Sequence, residues 1–170
     1  AAAAASSSMT WWVSPTTPAV RAANYSGDDL HKGDNPAAPL ATIQHALNRA
    51  QDGDTVRLLP GNYTGGTACS WRHAATQRRC NYNLDPDGKA LTVQGVSAGQ
   101  TSIDCELTKT SGHDLVRRGF NLRKSSSPSG PAVRLQGFTL ANCGVNTKEN
   151  GEPNVRGGGM RFGNGATVNL

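Results

Sequence analysis

Apolar residues in this chain recur with two different periods. Between Pro39 and Gly66, Ile43, Ala46, Leu47 and Ala50 fall at i, i+3, i+4 and i+7, which places them on one face of a helix. The spacing predicts a helix over Ala41–Gln51. Asp52-Gly53-Asp54 then ends the helix and turns the chain. Val56 and Leu58 alternate with Thr55 and Arg57, the period of a half-buried strand. A helix this short is marginal alone, so its apolar stripe must cover other apolar surface.

Downstream the period is two, and the pattern repeats. Ala90-Leu91-Thr92-Val93-Gln94-Gly95-Val96 resembles Ala132-Val133-Arg134-Leu135-Gln136-Gly137-Phe138. Each alternates and ends at Gln-Gly. Each is followed by a second short run that ends near cysteine, Thr101–Cys105 and Phe138–Cys143. Gly165–Leu170 opens like a further copy. Short strands repeated between variable loops are the mark of a solenoid.

Composition agrees with strands and turns rather than a helix bundle. The 170 residues are 36% hydrophobic and 5% aromatic, with 20 Gly and 9 Pro, enough for one domain with a core. Net charge is +5. The basic residues cluster at Arg72, Arg78 and Arg79, and again at Arg117, Arg118, Arg123 and Lys124. Such clusters suit polyanions such as acidic or sulfated glycans, or nucleic acid. A nucleic-acid partner has charge in its favour but no motif or aromatic platform.

Four cysteines, Cys69, Cys80, Cys105 and Cys143, allow three pairings. None has the close spacing of a zinc site. Two N-x-S/T sequons, at Asn24 and Asn62, together with the even cysteine count, favour a secreted, oxidising compartment. No segment approaches the roughly 18 apolar residues of a membrane span. Residues 1–23 read as a flexible or irregular lead-in. The strand at the C-terminal end lacks a following turn, which predicts that the fold continues beyond residue 170.

The segments TIQHAL, GDTVRLLPGNY, LTVQG, SIDC, VRLQGFTLANC, GGGM and GATVNL, in that order, resemble right-handed parallel β-helix proteins of the polymorphic outer-membrane-protein type, within the pectin-lyase-like superfamily. Gly157-Gly158-Gly159-Met160 and Leu140-Ala141-Asn142 carry the repeat likeness; the family often has Phe where this chain has Leu140. The likeness covers Asn24 to Leu170. It implies an all-β fold, a right-handed parallel β-helix with an N-terminal capping α-helix, in which residues 24–170 form the cap and first coils. It also implies a secreted or cell-surface role in adhesion, cell-wall or ciliary-surface assembly. The partners implied are the rest of a longer chain and other surface glycoproteins. The same cap opens some polysaccharide lyases and hydrolases acting on acidic glycans, the alternative reading.

Two disulfides are expected on that fold. Cys69 and Cys80 flank one local excursion. Cys105 and Cys143 hold matching places after the two Gln-Gly strands. Stacked coils bring them within reach, since sheet neighbours lie about 4.8 Å apart. A closed Cys69–Cys80 loop is worth on the order of 3 kcal/mol. It would gather Trp71, Arg72, Arg78 and Arg79 into a knob suited to sugar stacking and anionic glycans.

Catalytic chemistry has little support. Polysaccharide cleavage needs convergent carboxylates, as a pair or as Ca²⁺ ligands beside a base. Asp52 and Asp54 sit in a turn. Asp85 and Asp87 fit the start of a Ca²⁺ loop, but its terminal Glu is missing, so turn chemistry explains them. Asp104, on a strand, is the best acidic candidate. His31, His45, His73 and His113 have no metal spacing, and no serine lies in G-x-S-x-G. No catalytic residue, metal or cofactor is expected, and the reading leans away from an enzyme.

Overall fold

The computed structural model describes residues 7–16, 26–67, 69, 79–107, 116–122, 133–149, 152–157, 159–162 and 168–169. Among them one helix and fifteen strands follow in the order β1 (Thr10–Val13), α1 (Ile43–Arg49), β2 (Thr55–Leu58), β3 (Gly61–Tyr63), β4 (Gly66–Thr67), β5 (Arg79–Cys80), β6 (Thr92–Gln94), β7 (Thr101–Asp104), β8 (Val116–Arg117), β9 (Phe120–Leu122), β10 (Val133–Gln136), β11 (Thr139–Ala141), β12 (Gly144–Glu149), β13 (Glu152–Gly157), β14 (Met160–Phe162) and β15 (Val168–Asn169). The protein is therefore mostly strand, with short sheets.

Three of the sheets are parallel. The largest runs β1-β2-β6-β10-β15. A second runs β3-β7-β11, and a third pairs β9 with β14. Leu84 adds a parallel bridge to Phe120. The repeated Gln-Gly strands are neighbours in register: Thr92 faces Arg134, Val93 faces Leu135 and Gln94 faces Gln136. Parallel pairing aligns like positions, so apolar residues fall together. Val13, Val56, Leu58, Val93 and Leu135 from the first sheet, Tyr63 and Ile103 from the second, and Phe120 and Leu84 from the third form one core. Fully burying each such side chain contributes about 1.5–3 kcal/mol.

Helix α1 packs against β1, β2 and β5. Its predicted stripe, Ile43, Ala46, Leu47 and Ala50, is buried throughout. The helix is shorter than its sequence pattern, and outside groups hold its N-terminal end. The Asp29 carboxylate accepts Ala41 N, Thr42 N and the Thr42 hydroxyl, and Asn81 Oδ1 accepts Ile43 N. These replace an ordinary N-cap. At the other end Ala50 is already extended (φ −62°, ψ 150°).

Two findings depart from the sequence reading. Within the segment read as lead-in, Thr10–Val13 form the edge strand of the largest sheet. Its outer edge is not bare: Trp12 N donates to Gly33 O and Leu40 N to Trp12 O. Nor is all pairing parallel. β12 pairs antiparallel with β13 and β8, and β4 with β5. The residues between Glu149 and Glu152 are Asn150-Gly151, the dipeptide that most favours a two-residue hairpin. That local signal overrides the repeat, and it places Gly157 at the end of β13 and Met160 at the start of β14.

The turn after α1 is organised by one buried carboxylate. Asp54 Oδ1 accepts Met9 N at 2.8 Å, and Oδ2 accepts Trp11 Nε1 at 2.9 Å and Gln51 N at 2.8 Å. Burial alone opposes its charge, but these three donors, helped by Lys89, hold its pKa below the usual carboxylate value. Asp54→Asn turns an NH₂ group toward one of those N–H donors. It should cost about 2–3 kcal/mol, read as a shift in the chemical-denaturation midpoint. A group whose folded pKa is depressed stabilises the protein above its unfolded pKa of about 3.9. The wild type should therefore lose this contribution as pH falls below that value, through the folded pKa, and Asp54→Asn should show a flatter acid profile there.

The two Gln-Gly corners press on one another. Gly95 N donates to Gln136 O at 2.9 Å, and a Cβ on Gly95 would lie 2.2 Å from Gly137 O. Neither backbone can give way cheaply. Gly95→Ala should destabilise by about 1–3 kcal/mol in thermal unfolding. Gly99→Ala, whose Cβ would meet nothing within 4 Å, should be close to neutral.

Candidate functional site

The outward face of the largest sheet carries a regular array that the register builds. Trp12 faces Arg57, Arg57 faces Gln94, and Gln94 faces Gln136. Beside this row runs another: Thr10, Thr55, Thr92 and Arg134. Inside each strand the intervening residue, Val56, Val93 or Leu135, points to the core, so the flanking side chains must face outward. Rows on adjacent strands are about 4.8 Å apart. The Arg57 guanidinium lies 5.9 Å from the centre of the Trp12 ring, and its Nη1 donates to Gln94 Oε1 at 3.2 Å. Arg134 and Gln136 are exposed. None of these positions is acidic. The face can stack a sugar ring on Trp12, hydrogen-bond hydroxyls through Gln and Thr, and pair an anion with Arg57 and Arg134.

The cysteines gather in one place. Cys105 and Cys143 form the expected disulfide, Cα atoms 4.9 Å apart, just past the paired ends of β7 and β11. The expected Cys69–Cys80 bridge is not present: both are thiols. Each S–H is taken up by hydrogen bonding. Cys69 reaches Gly65 O and Thr67 O at 3.8 Å, and Cys80 reaches Tyr82 O at 3.2 Å. Tyr82 is buried in the same cluster. Burial and the neighbouring Cys69 push its hydroxyl up to about 12. The Arg117 guanidinium lies 5.3 Å over the Tyr82 ring, and its Nη1 donates to Cys105 O and Glu106 O.

The remaining candidates are structural where the structure describes them. Asp104 accepts Glu106 N and Asn142 Nδ2 at the strand end. Asp85 Oδ1 accepts Asp87 N, and Asp87 and Gly88 have φ of 57° and 74°, a turn. Asp52 accepts Ala90 N. His31 Nδ1 contacts Pro39 O, and burial lowers the pKa of His45. Arg79 is drawn to Asp29 at 3.8 Å. Trp71, Arg72, Arg78, Asn24, His73 and His113 lie outside the described residues. Asn62 is exposed on β3, its Oδ1 accepting from Ser102 Oγ at 2.8 Å.

Among the described residues no three His, Cys, Asp or Glu groups come close enough to hold a metal. No described helix is long and apolar enough to cross a membrane. An apolar hollow of about 190 Å³ is lined by Leu135, Gln136, Phe138, Leu140 and Met160. The outward array was missed in the sequence, although Thr10-Trp11-Trp12, Thr55-Val56-Arg57 and Thr92-Val93-Gln94 share a Thr–apolar–long-side-chain pattern. No known protein family, curated protein or solved structure matches the chain.

The Cys105–Cys143 link ties two adjacent parallel strands across 38 residues of sequence. Cys105→Ser with Cys143→Ser should cost about 2–4 kcal/mol, measured as a lower denaturant midpoint against wild type under non-reducing conditions.

Proposed function

We propose that the chain forms the cap and first coils of a right-handed parallel β-helix of the polymorphic outer-membrane-protein type. In this reading it is a non-catalytic secreted or cell-surface scaffold or adhesion surface. The observation that carries the reading is the in-register row Trp12–Arg57–Gln94–Gln136. A row that grows with each parallel strand is a contact surface of extendable length, free of acids and ready for an extended acidic glycan. The three parallel sheets support the coiled architecture, and the Cys105–Cys143 disulfide is compatible with an extracellular setting. The scaffold reading is favoured over a lyase or hydrolase because Asp52, Asp54, Asp85 and Asp104 are each engaged by backbone N–H groups in turns or strand ends. Asn24 and Asn62 are the proposed glycan attachment sites, and Trp71, Arg72, Arg78 and Arg79 a second contact region.

The test is binding of the full chain to a polyuronate and to a neutral glucan, with polymer length followed in parallel. Binding to the polyuronate should be the stronger. It should weaken as salt rises beyond physiological strength, where the Debye length is about 8 Å, and the polymer should keep its length. Arg57→Ser with Arg134→Ser should lower affinity several-fold at unchanged stability. Arg72→Ser, Arg78→Ser and Arg79→Ser together report the second region separately. Salt-insensitive binding, or polymer shortening, overturns the reading.

A further inference from the structure

All four cysteines share one small cluster: Cys69, Cys80 and Cys105 are buried, with Tyr82 beside them and Cys143 packed against the group. One pair of sulfurs is joined and the other is not. The backbone brings the two thiols together. In the β4–β5 pair Gly66 stands opposite Cys80 and Thr67 opposite Arg79, and Cys69 follows two residues later. Gly66 has φ of 122°, and a Cβ there would lie 2.2 Å from Arg79 O and 2.9 Å from Cys80 Cβ. Only glycine permits so close an approach. The result is that Cys69 and Cys80 share one buried cluster with Tyr82 and Cys105.

We infer that Cys69 and Cys80 form a redox-active pair that a small-molecule disulfide, such as oxidised glutathione, converts into a second disulfide beside Cys105–Cys143. The two members have different roles. Cys69 retains 8% of its surface and Cys80 none, so Cys69 meets the oxidant. The adjoining Cys80 side chain, with help from Tyr82 and Arg117, lowers the pKa of Cys69 from the ordinary thiol value against the effects of burial and Glu106, which enriches the attacking thiolate.

The exchange balances in two steps. Cys69 releases its proton, and its thiolate attacks one sulfur of oxidised glutathione. The glutathione disulfide breaks, a protein–glutathione disulfide forms, and one glutathione thiolate leaves and takes up a proton. Cys80 then gives up its proton and attacks Cys69 Sγ. The mixed disulfide breaks, the Cys69–Cys80 bond forms, and the second glutathione leaves as thiolate and is protonated. Two electrons and two protons pass from the cysteines to glutathione, and Cys105–Cys143 is untouched. The inference does not depend on the glycan reading.

The experiment equilibrates the full chain over a series of reduced-to-oxidised glutathione ratios, blocks thiols by alkylation, and maps peptides without reduction. The oxidising end should show Cys69–Cys80 and Cys105–Cys143 with no alkylated cysteine. At intermediate ratios a species alkylated at both Cys69 and Cys80 should retain Cys105–Cys143. Cys80→Ser should accumulate one glutathione at Cys69, whereas Cys69→Ser should take up none at Cys80. Alkylation of Cys69 and Cys80 at every ratio overturns the inference, as does a link from either to Cys105 or Cys143. If either variant fails to fold, the wild-type maps alone decide.

Discussion

In-register parallel pairing is the constraint on which the rest of this molecule depends. A parallel ladder sets like position beside like position, so one alternating pattern, once repeated, sorts the whole sheet. Val56, Val93 and Leu135 then line a common core, while Arg57, Gln94 and Gln136 line a common outer row. A slip of one residue would turn Arg57 and Gln94 into the core and expose Val56 and Val93. That penalty pins the register more firmly than the few hydrogen bonds of three- and four-residue strands could.

The irregular segments follow a second rule. Where the backbone has no strand partner, a buried amide or carboxylate replaces it. Gln44, fully buried in α1, accepts Asp85 N and donates to Asp85 O, the same two bonds a neighbouring strand would make. Asn81 joins Ile43 N to Thr64 O, and Asn83 joins Arg118 N to Cys69 O. Asp54 does the same for Met9 N, 45 positions away in sequence. These polar groups are satisfied through partners far away in sequence, so each couples loop conformation to the sheets.

What the sequence discloses depends on whether a feature is local or repeated. The stripe Ile43–Ala46–Leu47–Ala50 is local, and all four residues are buried. The Gln-Gly strands repeat, and they pair with each other, carrying Cys105 and Cys143 into a bond. By contrast, β1 offers only four residues, and its partners in β2 lie on the far side of α1, beyond any local signal. The N-terminal end of α1 depends on Asp29 and Asn81, which no window on the helix contains. The outward row needed the register to be known before Trp12, Arg57 and Gln94 could be seen as neighbours. The Asn150-Gly151 dipeptide, in contrast, is a local signal, and the antiparallel pair it joins breaks the repeat. For Cys69 and Cys80 the sequence placed the residues together, but proximity and covalent state are separate questions, and the structure holds them as hydrogen-bonded thiols.

The Cys105–Cys143 bond has a mechanical meaning. A tension that pulls neighbouring strands apart would peel a short parallel sheet one hydrogen bond at a time, starting from whichever end is loaded. Between β7 and β11 that path is closed, because the sulfur bridge stands just beyond the last paired residues, Asp104 and Ala141. Load entering from that side first meets the outlying Leu107 N–Asn142 O bond and then the covalent bridge, which shields the hydrogen bonds of the two strands themselves. The bridge thus acts as a rivet at the end of a seam, and it gives the fold one direction in which it resists being unzipped.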